Sequence, residues 1–270
     1  VITLSFVVHH PRFPAWARCA RCGSSENEAP CVPSGDYRAE MAEYGQFCPV
    51  SKTSEILCER WTPLILRELM CGSVRFGEIA RGVPTVSTAL LTARLRRLAA
   101  AGVITREPTP GGGADYRLTA AGLELAPIIL AMGVWGQRWA RSEYTPDDLD
   151  PGLLMWDVRR YLRPGGLRAG RTVVEFRFTD APPGRDHYWL VDDGVADRPV
   201  DLCLVPPGFD VDLWVDADLR TLTRVWMGDE AISRALTDGR ITLAGVTALQ
   251  RGFPGWLGRH PVLGSVGPAD

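Results

Sequence analysis

Lysine is all but missing from this 270-residue chain: of 30 Lys and Arg residues, only Lys52 is a lysine. A phosphate-cradling loop needs a lysine beside its glycines, and the glycine run at 111–113 has none near it. Histidine is also scarce. His9, His10, His187 and His260 do not cluster near a nucleophile in sequence, and neither G-x-S-x-G nor H-E-x-x-H occurs, so an enzyme is not expected. The seven cysteines, Cys19, Cys22, Cys31, Cys48, Cys58, Cys71 and Cys203, are odd in number and irregular in spacing. That argues against a disulfide framework and for reduced thiols. The C-x-x-C pair at 19 and 22, taken with Cys31 and His9 or His10, fits no closed zinc module, so no metal and no other cofactor is expected. No run approaches ~18 consecutive apolar residues, and the opening VITLSFVVHH lacks both a basic lead-in and a small-residue cleavage site. Neither a spanning helix nor a secretory leader is expected, hence no membrane partner and a cytoplasmic setting.

What is present divides along the chain. With 46% hydrophobic residues and length for two domains of ~100–200 residues each, the sequence reads as packed and soluble. The net charge of −2 hides an asymmetry, because residues 41–142 carry +4 and residues 143–270 carry −6. The two parts are therefore expected to meet different partners, the first of them polyanionic. Residues 1–40 show neither helical nor strand periodicity and read as a disordered arm or an over-extended start.

From 41 to 142 the pattern is helical, interrupted once. Pro49 and Pro63 suit first helical turns. Leu64, Ile65, Leu66 and Leu69 fall in the interior of a second helix closed by Gly72, and Phe76 and Ile79 point inward from a short third. In VSTALLTARLRRL (86–98), Ser87 or Thr88 can cap, and Leu91, Leu95 and Leu98 recur at i, i+4, i+7 as one buried face. The other face carries Thr88, Ala89, Thr92, Ala93 and Arg96, flanked by Arg94 and Arg97. Small residues beside guanidinium groups are what close approach to a sugar-phosphate wall requires. VITREPTPGGGADYRLT then reads as a hairpin or wing, though its tip has no positive charge and carries Asp115. A last helix, 120–141, has Leu123, Leu125, Ile128, Ile129, Met132, Trp135 and Trp139 around most of its circumference, so a second subunit is expected to cover it.

Helices followed by a hairpin at this spacing make a winged helix-turn-helix. On CPV (48–50), RWTPLILREL (60–69), RFGEI (75–79), VSTALLTARLRRLAAAGVI (86–104) and DYRLTAAG (115–122), residues 47–141 resemble the HxlR-type bacterial transcriptional regulators. The resemblance implies a homodimer, joined through the N-terminal segment and the last helix, that binds double-stranded DNA with one recognition helix per half-site. By position it assigns Ser87, Thr88, Thr92 and Arg94 to the recognition helix, with Arg97 near phosphate. Arg75 falls at the start of the preceding helix, and Arg106 and Arg117 on the wing strands. The plainer alternative is that some arginines are merely solvated or pair with Glu68 and Glu78. Cys48 resembles a cysteine that some family members use to sense oxidants or electrophiles, and helix N-termini favour thiolate. Structural packing is its alternative reading.

SEYTPDDLDPG (142–152) is a polar joint. Beyond it Val174, Phe176 and Phe178 alternate with charged neighbours, Leu202 and Leu204 share one face, and Val211, Leu213 and Val215 share another. Two short helices, the strand RITLAGV and a closing helix follow. Residues 211–257 resemble the second half of a sterol-carrier-protein-type lipid-binding domain. That likeness implies an apolar tunnel that Phe176, Phe178, Trp189, Leu213, Val215, Trp226, Leu243, Phe253 and Trp256 would line, although the same residues suit an ordinary core. The expected fold class is α+β: a winged helix-turn-helix domain at 41–142, then a sterol-carrier-like domain at 150–262 with a mostly antiparallel sheet. The expected function is DNA-binding regulation answering to an apolar small-molecule effector. The alternative is a lipid-carrier or enzyme-like C-terminal domain, with the winged helix serving mainly for dimerisation.

Overall fold

The computed structural model describes residues 44–140, 144–162, 170–195 and 198–261, so the expectations for residues 1–40 lie outside the described residues. The first half begins with α1 (Pro49–Leu57), α2 (Thr62–Met70), α3 (Phe76–Gly82) and α4 (Thr88–Ala100). Pro49 and Pro63 each occupy a first helical turn, where the missing N–H would have had no partner. Ile65, Leu66, Leu69, Ile79, Leu91, Leu95 and Leu98 meet in one buried core. Leu64, expected inside, is 38% exposed, because the stripe through Ile65, Leu66 and Leu69 turns it away from that core. The hairpin follows as β1 (Ile104–Thr109) and β2 (Gly113–Leu118), antiparallel with Ile104 opposite Leu118. Its tip turns through Gly111 and Gly112 at φ 105° and 89°, which a side chain would strain.

The single last helix expected from the sequence is broken. It runs as α5 (Ala120–Glu124), α6 (Ala126–Trp135) and a wider π turn over Gly136–Ala140. Pro127 stands in the first turn of α6, and without an N–H it cannot carry the ladder on from α5. Leu125 and Ile129 pack on the core, whereas Leu123, Ile128, Leu130, Met132, Trp135 and Trp139 are exposed. By length and composition Ala120–Ala140 would suffice to cross a membrane, and little of it is buried in this chain.

The second half opens on α7 (Pro151–Tyr161), continues through β3 (Thr172–Phe178), β4 (His187–Asp192), β5 (Asp201–Cys203) and β6 (Leu213–Ala217), and ends with α8 (Leu219–Trp226), α9 (Ile232–Thr237), β7 (Ile241–Gly245) and α10 (Thr247–Leu257). The sheet order is β5-β4-β3-β6-β7. Only the β3–β6 pair is parallel, so the sheet is mostly antiparallel. One face, with Val174, Phe176, Leu213 and Val215, packs under α7, α8 and α10. Val173, Trp189 and Val191 make a small separate cluster on the other. β5 is shorter than its alternation predicts, and Leu204 lies beyond it, 58% exposed.

α7 ties the halves together. It presents Trp156, 1% exposed, and Arg160 to α2, where Glu68 has no exposed surface at all. Glu68 takes a hydrogen-bonded ion pair from Arg160, the Trp156 indole N–H at 3.3 Å, the Ser73 hydroxyl at 3.3 Å and the Arg67 guanidinium at 3.0 Å. Arg67 also donates to the Gly82 carbonyl at 2.9 Å, and a Cβ on Gly82 would fall 1.9 Å from the Glu68 carboxyl carbon. α3 can therefore approach α2 this closely only with glycine there. Burial by itself pushes the Glu68 carboxyl up, but Arg160 and Arg67 outweigh it and hold it below the ordinary Glu value.

Arg160→Ala leaves a buried carboxylate short of its main partner and should lower the unfolding free energy by about 3–5 kcal/mol at neutral pH, read from the denaturant midpoint. A carboxyl depressed on folding contributes stability above its unfolded pKa and loses it as pH falls through the folded one. The curves of wild type and variant should therefore converge in acid. Gly82→Ala should be destabilising as well, at every pH.

Candidate nucleic-acid interface

Leu91, Leu95 and Leu98, each 1–2% exposed, fix the roll of α4 about its axis. That roll sends Ser87, Thr88, Ala89, Ala93 and Arg96 to the exposed side, with Thr92 half-buried. Ser87 is the cap, its Oγ accepting the Leu90 N–H at 3.3 Å. The Thr92 hydroxyl donates to the Thr88 carbonyl at 2.8 Å. The helix ends at Ala100, and Gly102 takes φ 71°, as a C-terminal stop requires.

The arginines divide as their spacing suggests, but the partners of the flanking pair lie far away in the chain. Arg94 donates to the Arg60 carbonyl at 3.1 Å and lies 3.4 Å from Glu59. Arg97 binds Glu59 at 2.8 Å and the Glu55 carbonyl at 3.0 Å. Both therefore brace the end of α1, and their partner is Glu59 rather than Glu68 or Glu78. Glu78 instead accepts the Val74 and Arg75 N–H groups at 2.9 and 3.0 Å. The sequence signal for these pairs is the carboxylate of Glu59, since Glu55 contributes only its main-chain carbonyl. Arg96 is exposed and has no charged partner among the described residues.

On the neighbouring elements, Arg75 is exposed beside the start of α3 and bridges backbone to backbone with Asp115 of the wing. The Tyr116 N–H reaches the Val74 carbonyl at 2.8 Å, so the hairpin is anchored to the α2–α3 connection. Arg106 is exposed on β1. Arg117 is exposed too, but pairs with Asp115 at 3.0 Å and Glu107 at 3.4 Å, so the wing neutralises much of its own charge. Cys48 is half-buried at the N-terminus of α1, without a capping hydrogen bond.

The residues read as tunnel or core are found packed. Phe176, Phe178, Leu213, Val215, Trp226, Phe253 and Trp256 interlock in the second core, with Leu243 against its edge. Phe253 and Trp256 meet edge to face at 4.9 Å between centroids. Trp189 lies across the sheet, stacked on His187. Helices this close to one face of a five-stranded sheet fill it with side chains.

An outward helix of small residues and one unpaired arginine, braced by two helices and a hairpin, defines a winged helix-turn-helix of the transcription-regulator class. Residues 56–144 match the family described as HxlR-like helix-turn-helix. The chain is 38% identical over 103 residues to an HTH-type transcriptional regulator of Synechocystis sp., sll1512, covering 37% of this chain and 76% of that one. It is 37% identical over 97 residues to YvaP of Bacillus subtilis, an HTH-type transcriptional regulator, covering 35% of this chain and 90% of that one. Among solved structures it is similar to the redox regulator HypR in its oxidised form, at 31% identity over 36% of this chain and all of that one, with a TM-score of 0.33. The chain belongs to the HxlR-type helix-turn-helix transcriptional regulators.

Glu59→Ala should loosen the end of α1 from α4, at a cost of about 1 kcal/mol because the pairs are partly solvated. A double-mutant cycle with Arg97→Ala measures this, and additive losses would mean that Glu59 does not hold Arg97 in solution.

Proposed function

We propose that this protein is a homodimeric, DNA-binding transcription factor that reads double-stranded DNA with α4 and answers to a small apolar molecule through its C-terminal half. The observation that carries the reading is the presentation of Thr88, Ala89, Thr92 and Arg96 on the exposed side of α4, with Arg75 and Arg106 exposed on the elements beside it. In the major groove, Arg96 has the reach for a phosphate or a guanine edge, and the Thr88 and Thr92 hydroxyls suit backbone positioning. Arg94 and Arg97 act at second hand, holding α1 against α4, and Arg117 contributes only if DNA draws it from Asp115.

The dimer is supported by the exposed apolar side chains of α6 and its flanks, Met132, Trp135 and Trp139 at 49–63% exposure, together with Phe47 and Val50 before and within α1. Water would face all of them in an isolated chain, and a second copy is the simplest cover. Two recognition helices would then stand about 34 Å apart along the duplex. In the C-terminal half, the order β6, α8, α9, β7, α10 supports kinship with the sterol-carrier-type fold. The filled sheet face argues that any ligand space there lies elsewhere.

Binding to DNA from the protein's own upstream region should fall steeply with salt, and Arg96→Ala should weaken it across sequences and flatten the salt slope by about 1. Absence of binding at low salt would overturn the reading in favour of a carrier that uses its winged helix only to dimerise. Trp135→Glu should yield monomers in sedimentation at micromolar concentration, with DNA affinity lost in parallel.

A further inference from the structure

A cavity of about 670 Å³ opens between the two halves, walled by α2 and α6 on one side and by α7 and α8 on the other. Sites for drug-sized ligands span about 300–1,000 Å³. Met70, Ile129, Leu130, Leu153 and Met227 make most of its surface apolar, with Trp226 buried behind them. In one corner Tyr161, Trp226 and His260 form a triangle of rings, with centroids 6.2, 5.4 and 6.1 Å apart.

The charged lining is unbalanced. Among the described residues its two cations, Arg67 and Arg160, are both directed at the buried Glu68. Three further carboxylates share the wall. Asp148 is turned to Thr145 at 2.7 Å and Asp150 pairs with Arg185. Asp157 remains, its Oδ2 accepting the Trp226 indole N–H at 2.7 Å and its Oδ1 3.9 Å from Arg160. His260 also lies 3.9 Å from the Asp157 Oδ2, and burial holds it below the ordinary histidine range although Asp157 acts against that.

We propose that this cavity is an effector site for a planar, largely apolar aromatic molecule carrying one protonated amine, its ring system against the exposed part of Tyr161 and its ammonium at Asp157. An aromatic wall and a carboxylate in one low-dielectric crevice favour such a cation over a neutral or anionic ring. The regulatory consequence, though not the site, rests on the DNA-binding reading. An occupant touches both halves, and so bears on the Arg160–Glu68 contact and, through Arg67 and the Gly82 carbonyl, on the helix that precedes α4.

Calorimetric titration of the full chain with 2-(2-naphthyl)ethylamine and with 3-(2-naphthyl)propanoate tests the site without DNA. The amine should bind at least tenfold more tightly than the carboxylate, and Asp157→Asn, which keeps an acceptor for Trp226, should erase that preference. Met227→Trp, filling the cavity, should abolish binding of both while the melting curve stays cooperative. Equal or tighter binding of the carboxylate, or an unchanged preference in Asp157→Asn, would overturn the proposal, as would no heat from either compound. A separate measurement of promoter affinity with and without the amine reads the coupling. Amine binding by a protein that ignores DNA would sink the regulator and leave the site standing.

Discussion

A carboxylate with no exposed surface has to be matched where it lies, and Glu68 is matched from both halves of the chain at once. Arg67 and Ser73 reach it from its own half, and Trp156 and Arg160 reach it from α7. Removing water from a charge is costly, and only complete pairing offsets that cost. The contact therefore sets a narrow geometry: α7 must lie where its indole N–H and guanidinium both reach one carboxyl group. The guanidiniums of Arg81, Arg159 and Arg160 gather over the Trp156 ring at 5.2, 4.0 and 5.2 Å, so the tryptophan is held by cation–π contacts as well as by its hydrogen bond.

From this node the constraint runs toward the reading head. Gly82 admits the Glu68 carboxyl, Arg67 holds the Gly82 carbonyl, and α3 ends there, one short turn before α4. The C-terminal half is thus wired to the helix-turn-helix through packed, hydrogen-bonded atoms rather than through a flexible joint. The joint read at 142–152 contributes a cap instead: Asp150 accepts the Leu153 N–H at 2.8 Å and starts α7.

Much of the winged half was legible because its signals are local. Proline in a first turn, a serine cap, leucines at i, i+4, i+7 and a glycine-rich turn each fix structure within a few residues. The second half was legible as alternating strands and short helices, for the same reason. α7 was not read at all, although Pro151 after Asp150, with Leu154, Met155 and Val158 spaced along one face, carries a helical signal. Its polar, proline-bearing surroundings masked it as a linker. The break at Pro127 was likewise visible in principle and was overridden by the apolar run around it.

The sequence by itself determined which segments become helix or strand, which face of α4 is buried, and therefore which side chains point outward, because periodicity and capping are properties of neighbours in the chain. It also determined the family, through several motifs in order. Only the tertiary structure decided which arginines are committed. The local pattern sets Arg96 on the outward face and Arg94 and Arg97 at its flanks, but it does not record that a glutamate 35 and 38 residues upstream claims both flanking residues. Ion pairs form between groups that folding brings together, and packing density decides whether aromatic residues enclose a space or fill it. Neither distance along the chain nor residue type fixes either outcome.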